Sequence, residues 1–329
     1  MRSFRFTLLI DNFAKNMIMK EIQSILLGER PLLISKDGYR QVASIAFLPK
    51  PGNMLGDEKT YREETDNAIS ILRKQLSEAG DTIQITNDYS DPDLPNNSVA
   101  YHRVWGFVTG GSRWYFSSKQ LEIDLIQAEE NPQICAHLLH INSVGGEAWY
   151  LDRLTETMRS CKKPIVGIYE SCCASAAYYI GCHSTVLYAM TRNDFVGCIG
   201  TMTSFYDFDG YYKKLGINLV EAKATKSDLK NKTFEDLVDG KPKEYIERIL
   251  DPLNEQFLAA VRSQRPEIAE MDDDNPVLRG EIYYTDEAIE NGLVDGMISF
   301  EEAVQEAYDR GKKKNDSGKL KESIYNIVR

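Results

Sequence analysis

The stretch that decides the fold is Ile-Cys-Ala-His-Leu-Leu-His-Ile-Asn-Ser-Val-Gly-Gly, residues 134–146. Its first eight residues are mostly apolar, which is typical of a strand buried in a parallel sheet. A helix is expected next, because apolar residues recur there at near-helical spacing: Trp149, Leu151, Leu154 and Met158. Another strand, Pro164–Tyr169, follows. Repeated strand–helix units of this length predict an α/β fold with helices packed on a parallel sheet.

The pattern extends in both directions from this stretch. Upstream, Val99–Val108 is a predicted strand, and Ser117 or Ser118 could cap a helix that runs through Glu130. Downstream, the sequence predicts three further elements: a short helix of small residues at 174–181, a strand at 185–190, and an amphipathic helix at 243–264 bent at Asp251-Pro252.

Three regions are predicted along the chain. Residues 1–97 form an N-terminal section of unknown role, with a strand-like run at Gln41–Leu48 and a charged helical run at Tyr61–Leu76. This section ends in a stretch rich in Asp, Pro and Asn, residues 87–97, which predicts a linker. The main domain spans residues 98–300, and residues 301–329 form a C-terminal helix and a mobile basic tail.

Composition excludes two classes of protein. The chain has 329 residues, 42% apolar and 27% charged, with a net charge of −11, which argues against a general nucleic-acid binder. No apolar run approaches the roughly 20 residues that span a bilayer. The apolar patch near Met1–Ile10 is broken by Asp11 and Lys15, so it predicts a strand or helix rather than a signal peptide. A cytoplasmic protein is expected, or one in host cytoplasm or a virion if a phage encodes it.

The six cysteines all lie between Cys135 and Cys198. Most stand in apolar stretches, which is typical of small buried hydrophobes in a reduced compartment. A zinc site is the alternative, but no CxxC pair is present. No metal and no cofactor are expected.

Two segments could carry chemistry. In Asn142–Gly146, two glycines let the backbone approach a ligand and direct N–H groups at a developing negative charge. The alternative is a tight strand–helix turn. In the segment around Ser175, a serine follows a strand at the start of a helix, where the amide of Ala176 favours an oxyanion. The alternative there is that small residues pack the helix on the sheet.

A nucleophilic serine needs a base, and histidine fits poorly. The chain has four histidines: His102, His137, His140 and His183. His183 lies about 12 Å along the helix from Ser175 at roughly 1.5 Å per residue, which is too far. His137 and His140 fall on opposite faces of their strand; His140 could approach the site, but a core position is favoured. No histidine follows His183, which excludes a Ser-His-Asp triad with a downstream histidine.

Lysine is then the natural base, provided that burial lowers its pKa. The candidates are Lys223, Lys226 and Lys230 in a charged run that is otherwise typical of a solvated surface. Ser227-Asp-Leu-Lys230 also matches the SxxK pattern of penicillin-binding proteins, without their SDN and KTG partners. The residues alone leave the choice among the three lysines open.

Roughly residues 98–300 resemble the signal peptide peptidase A family of serine peptidases, family S49, which includes phage prohead proteases. Four segments carry the resemblance: Ile141–Gly146 resembles N/D-S-P-G-G, Ala174–Ile180 resembles A-S-G-G-Y-Y-I, Gly197–Thr201 resembles G-S-I-G-V, and Gly292–Asp295 is G-L-V-D. Each motif is weak alone, but their order is specific. The family's lysine segment reads G-x-x-K-D/N and is matched by Ser227–Asn231. The departures are Val144 for proline, Ala176 and Ala177 for glycines, and Ser227 for the glycine of the lysine segment.

The resemblance implies a ClpP/crotonase-like fold of repeated β-β-α units. It implies Ser175 as nucleophile and Lys230, which lies 55 residues later, as general base. The amides of Gly146 and Ala176 would form the oxyanion hole, with Gly145 a less favoured contributor. Relatives commonly form homo-oligomers, so a homo-oligomer acting on a protein or peptide is expected, with no nucleic acid and no membrane anchor.

The expected function is therefore a serine endopeptidase with a Ser–Lys dyad and an acyl-enzyme intermediate, which by family analogy processes phage capsid or scaffold proteins. Two alternatives stay open. One is a non-catalytic assembly or scaffold protein that keeps the fold. The other is a crotonase-type acyl-CoA enzyme, which would need a pair of acids at the site.

Overall fold

The computed structural model describes residues 32–34 and 60–328, apart from 79, 81, 206 and 208, and gives side chains from residue 60 to residue 317. The predicted run Gln41–Leu48 and the patch Met1–Ile10 lie outside the described residues.

From β4 to β7 the described elements alternate between strands and helices, as expected. The strands are β1 (Leu32–Ile34), β2 (Ile85–Thr86), β3 (Ser98–Thr109), β4 (Phe116–Ser117), β5 (Ile134–Glu147), β6 (Ile165–Ala174), β7 (Val186–Ala189), β8 (Phe195–Gly197), β9 (Ile282–Tyr284) and β10 (Gly296–Met297). The helices are α1 (Tyr61–Glu78), α2 (Ser118–Glu130), α3 (Leu151–Ser160), α4 (Ala176–Gly181), α5 (Asp209–Lys214), α6 (Lys232–Val238), α7 (Lys243–Tyr245), α8 (Asp251–Gln264), α9 (Pro266–Ala269), α10 (Thr285–Glu290) and α11 (Phe300–Val328). A π-helical stretch, Ile246–Leu250, precedes α8, and a 3-10 turn, Pro276–Arg279, precedes β9.

Helix boundaries follow local chemistry closely. Ser117 caps α2, and its side chain accepts a hydrogen bond from the amide of Gln120. In the predicted long helix at 243–264, the π-helical stretch stands directly before Asp251-Pro252. Proline has no amide hydrogen to donate, so the helix is irregular where the bend was predicted.

The described strands form one sheet with the order β10-β7-β6-β5-β3-β2. The central pairs β3–β5, β5–β6 and β6–β7 are parallel. Two pairs are antiparallel: β1 with β5, and β8 with β9. A mostly parallel sheet with helices between its strands is the α/β class that the sequence predicts.

Strand β6 pairs with different neighbours along its two halves. Val166–Tyr169 pair with β7, whereas Cys172–Ala174 pair with β8. The change falls at Ser171, whose φ of 66° interrupts the extended backbone. On β5, the register with β6 shifts between Ile141 and Ser143. Two strand segments followed by a helix form a β-β-α unit, which is the repeat that the sequence predicts.

Both faces of the sheet are covered. Leu138 belongs to a cluster that includes residues of α1 and α11, whereas its neighbour Leu139 belongs to a cluster with α2, α3, α4 and α8. Successive residues of a strand point to opposite faces, so β5 serves two cores at once. This double burial explains why residues 134–141 are apolar without alternation.

Two predicted boundaries are not seen as expected. Ile69 and Leu76 of α1 share a core cluster with Phe300 and Ala307, so residues 60–97 and the main domain have a common core in the described part. The stretch predicted as a linker is packed down, since the side-chain amide of Asn131 donates to the carbonyls of residues 89 and 91, both at 3.0 Å. The basic segment at 312–318 is not a separate tail but part of α11.

Candidate active site

Ser175 joins the end of β6 to the start of α4. Its φ of 56° and ψ of −119° lie outside the regions that non-glycine residues prefer. Two backbone bonds hold this conformation: the Ser175 amide donates to the carbonyl of Gly197 at 2.8 Å, and its carbonyl accepts from the amide of Tyr179 at 2.8 Å. Strained backbone of this kind costs about 1–3 kcal/mol and persists where the surroundings impose it, often at functional sites.

The Ser175 hydroxyl is buried and unsatisfied. The residue is 0% exposed, and its Oγ has no hydrogen-bond partner among the described residues. Leaving a buried hydroxyl unpaired costs about 1–3 kcal/mol, so a serine kept only for packing would do better as alanine. Strain and an unpaired hydroxyl at one residue favour a nucleophile over the packing alternative.

The glycine pair lies in a strand, which excludes the alternative of a strand–helix turn at Asn142–Gly146. These residues continue β5, and Gly145 and Gly146 pair with β3 on one side and with β1 on the other. Gly145 has a φ of 98°, which favours glycine. At Gly146, a Cβ would lie 2.7 Å from the amide nitrogen of Val108 and would also clash with its carbonyl oxygen. Glycine is required at both positions by the backbone.

The sheet brings the glycine pair level with the serine. Ser143 on β5 pairs in parallel with Cys173 on β6. Continuing this register by two residues puts Gly145 beside Ser175, at the end of β6 where α4 begins. The amide of Gly145 already donates to the hydroxyl of Ser143 at 3.1 Å, so it is less available to an oxyanion. The first-turn amide of Ala176 has no acceptor within its own helix.

Substitution of Gly146 by alanine is expected to lower the free energy of unfolding by about 3 kcal/mol, because the new Cβ would meet the backbone of β3. Urea denaturation monitored by circular dichroism measures the change. Gly111→Ala is the matched control: its Cβ would lie 3.6 Å from the side chain of Lys119, an ordinary contact. Equal stability of the two variants would contradict the close packing of Gly146 against the backbone of β3.

The structure does not bring Lys230 to Ser175. Lys230 is exposed, whereas Ser175 is fully buried with no bonded partner for its hydroxyl among the described residues. Lys226 is also exposed. Lys223 pairs with Glu235 and Glu221, and the hydrogen bond to Glu235 raises the pKa of Lys223, which makes it a poorer base. Of the three candidate lysines, Lys226 and Lys230 are the ones without such a pairing in the described structure.

The histidines have structural partners elsewhere. His137 lies between His102, at 3.0 Å, and Glu129, at 3.0 Å. His140 contacts the hydroxyl of Tyr101 at 3.0 Å, so the two histidines of β5 do point to different surroundings.

His183 accepts from Arg159 at 3.0 Å, and burial lowers its pKa to about 4. Within the described residues, no histidine bonds to the Ser175 hydroxyl.

The cysteines are free, and four of the six are buried. Burial raises the pKa of Cys172 to about 12 and that of Cys198 to about 11, so the thiols near Ser175 are not activated nucleophiles. The predicted burial is seen for Cys135, Cys172, Cys173 and Cys182.

One possible metal-ligand set escaped the argument from cysteine spacing. Glu129, His137 and Cys161 offer ligand atoms within 4.8 Å of one another. They come from the end of α2, from β5 and from the residue after α3, so no short sequence pattern joins them. Their contacts run to His102 and to the backbone of residues 162 and 163, away from the Ser175 segment.

Sequence reasoning also missed polar atoms beyond β8. The side-chain oxygens of Thr201, Thr203 and Asn254 are buried without partners among the described residues. Asn254 approaches Gly200, since a Cβ there would lie 3.9 Å from its Oδ1. Thr201 closes the Gly197–Thr201 motif, but Asn254 belongs to a helix that apolar spacing predicts as packing only. No local signal could have selected it.

The motif Gly292–Asp295 is structural. Leu293 and Val294 are buried in the core, and the Asp295 carboxylate accepts from the amide of Leu187 at 2.6 Å and from Arg265 at 2.8 Å. It anchors the segment that enters β10 to β7. Within the described residues, no helix is long and apolar enough to cross a membrane.

Sequence comparisons relate this chain to peptidases. Residues 157–314 match the family described as Peptidase family S49. A chain named as a signal peptide peptidase SppA from Enterococcus faecium is 26% identical over 71% of this chain and 69% of its own length. A protein named as a protease from Methanocaldococcus jannaschii is 28% identical over 54% of this chain and 56% of its own.

Protease 4 of Haemophilus influenzae is 29% identical over 56% of this chain, which spans only 29% of that protein. Among solved structures, a point mutant of ClpP1 from Listeria monocytogenes aligns with a TM-score of 0.39 and 13% identity, over 62% of this chain and 94% of that one.

Proposed function

Residues 157–314 of this chain belong to peptidase family S49, and on that premise we propose that it is a serine endopeptidase with Ser175 as nucleophile and Lys230 as general base. The observation that carries the proposal is Ser175 itself, a buried serine with a strained backbone and an unpaired hydroxyl beside a glycine pair. The protease names of the similar proteins support the same reaction class.

In the proposed reaction, the lysine takes the proton of the Ser175 hydroxyl, and the oxygen attacks the scissile carbonyl. The amides of Gly146 and Ala176 hold the tetrahedral oxyanion. The amine product leaves with a proton, and water then hydrolyses the acyl-enzyme to regenerate the serine. No cofactor enters this sequence.

The proposed dyad requires that Lys230 move to Ser175, and the surroundings of Lys230 suggest how. From Leu215 to Leu229, large apolar side chains stand in water: Leu215 is 58% exposed, Ile217 56%, Leu219 78%, Val220 90% and Leu229 77%. Such a group of exposed apolar residues is typical of an interaction surface. We infer that a second copy of the chain covers it and orders the lysine segment.

The oligomer has its own test. The double variant Leu219→Ser/Val220→Ser is expected to elute as a smaller species than the wild-type chain in size-exclusion chromatography with light scattering, because it removes apolar area from the proposed contact. Ile71→Ser, on α1, changes a single exposed apolar residue (60%) and should leave the mass unchanged. A monomeric wild-type chain would contradict the inference.

The function is tested by a fluorophosphonate probe followed by peptide mass spectrometry. A modified Ser175 supports the peptidase, since a crotonase-type enzyme has no reactive serine. One observation favours a non-catalytic assembly protein, namely the separation of Lys230 from Ser175, and an unlabelled Ser175 in the oligomer would favour that alternative.

The processing of phage capsid or scaffold proteins is a further prediction; portal and capsid genes beside this one would support it.

A further inference from the structure

Strand β1 occupies a particular edge of β5. Leu32, Leu33 and Ile34 pair antiparallel with Glu147, Gly146 and Gly145. On its other edge, the same part of β5 pairs with Phe107 and Val108 of β3. A strand has only two hydrogen-bonding edges, so β1 lies on the side that faces β6.

This side is where Ser175 lies. The pairing of β5 with β6 ends at Ser143 and Cys173, two residues before Gly145 on one strand and Ser175 on the other. Beyond that point the edge of β5 is taken by β1 instead of β6. The segment Leu32–Ile34 therefore runs along the glycine pair, next to the turn that carries Ser175. The complete burial of Ser175 agrees with a covered site.

We propose that the chain's own Leu32–Ile34, paired with the edge Gly145–Glu147, takes the place of an extended antiparallel peptide and blocks access to Ser175. This rests on the proposed function. The ligand class follows from the geometry, because an open strand edge offers backbone donors and acceptors in the spacing of a polypeptide. The two glycines add no side chain that would hold a bound peptide away.

The length of β1 makes the resident segment displaceable. Three paired residues are few for a strand, and no other described strand pairs with it. A protein substrate can compete for the same edge, and the free enzyme reacts only in the fraction of molecules in which β1 has left. The N-terminal section, without chemistry of its own, then sets the fraction of active molecules.

The test uses the full chain with Leu33→Pro/Ile34→Pro. Proline has no amide hydrogen, and the amides of consecutive strand residues point to opposite edges of the strand. One of the two substitutions therefore removes a hydrogen-bond donor to β5. Labelling of Ser175 by the fluorophosphonate probe is expected to be at least about 10-fold faster than in the wild-type chain. The control Leu33→Ala/Ile34→Ala keeps both amides and should be labelled less than half as fast as the proline variant.

Two readouts do not need catalysis. Amide hydrogen exchange of residues 145–147 should be slow in the wild-type chain and faster in the proline variant. A fluorescent peptide of residues 28–38 should bind the proline variant, whereas the same peptide N-methylated at Leu33 and Ile34 should not.

The outcomes separate the two proposals. If no chain is labelled but exchange and peptide binding change as stated, the peptidase fails and the subsite stands. If Ser175 is labelled equally fast in all chains and exchange at 145–147 is unchanged, the subsite is overturned and the peptidase stands. If the proline variant does not fold, amide hydrogen exchange of the wild-type chain provides the test. The proposal is overturned if the amides of residues 145–147 exchange as fast as those of the exposed Leu219 and Val220.

Discussion

Replacing Ser175 with alanine is expected to lower kcat/KM for casein by at least about 10³-fold, while the free energy of unfolding stays within about 1 kcal/mol of the wild-type value or rises. Activity falls because the nucleophile is gone. Stability is retained because the hydroxyl has no bonded partner among the described residues, and alanine fills the same space without an unsatisfied group. Initial-rate kinetics and urea denaturation measure the two effects on one preparation.

A second buried serine provides the control. Ser184 is 8% exposed, and its Oγ is likewise unpaired within the described structure, but it stands after α4, where its Oγ would lie 2.7 Å from a Cβ on Gly167. Ser184→Ala should show the same small change in stability with activity retained. If both alanine variants keep wild-type activity, Ser175 is not the nucleophile.

Replacing Lys230 with alanine is expected to reduce kcat/KM by about 10³-fold, within the range for loss of a general base. The melting temperature should not change, because the side chain is exposed and makes no described contact that supports the fold. The probe should also label Ser175 more slowly in this variant, since the hydroxyl has lost the group that accepts its proton.

Lys226→Ala is the matched control for Lys230→Ala. Lys226 lies in the same exposed segment, four residues earlier, and carries the same charge. Activity should persist in this variant. The reverse outcome would assign the base to Lys226, and full activity in both variants would remove lysine catalysis from the mechanism.

The sequence predicts those parts of the fold that depend on nearby residues. The helix from Ser118 to Glu130 and its cap at Ser117 follow from apolar spacing and one hydroxyl. The glycine pair is different: its composition indicates a turn, but pairing with β3 and with Leu32–Ile34, more than a hundred residues away, keeps it in the sheet. Likewise, residues 87–97 have the composition of a linker, yet Tyr89 and Leu94 are buried against distant parts of the chain.

The candidate site divides in the same way. Ser175 is predictable because its strand, its small neighbours and the following helix are all local. Lys230 is not, because nothing in its own segment distinguishes it from Lys226, and both side chains are exposed in this chain. Asn254 lies between these cases: its neighbours predict its helix but not its approach to Gly200.

The backbone hydrogen bonds that hold Ser175 have a consequence for heat inactivation. The bond from its amide ends on Gly197, the last residue of β8, a strand of three residues held on its outer side by the equally short β9. Short pairs at the margin of a sheet open at lower temperature than the doubly covered centre. We therefore expect the Ser175 backbone to lose its orientation at a temperature at which the core is still folded, so that labelling of Ser175 is lost below the melting temperature.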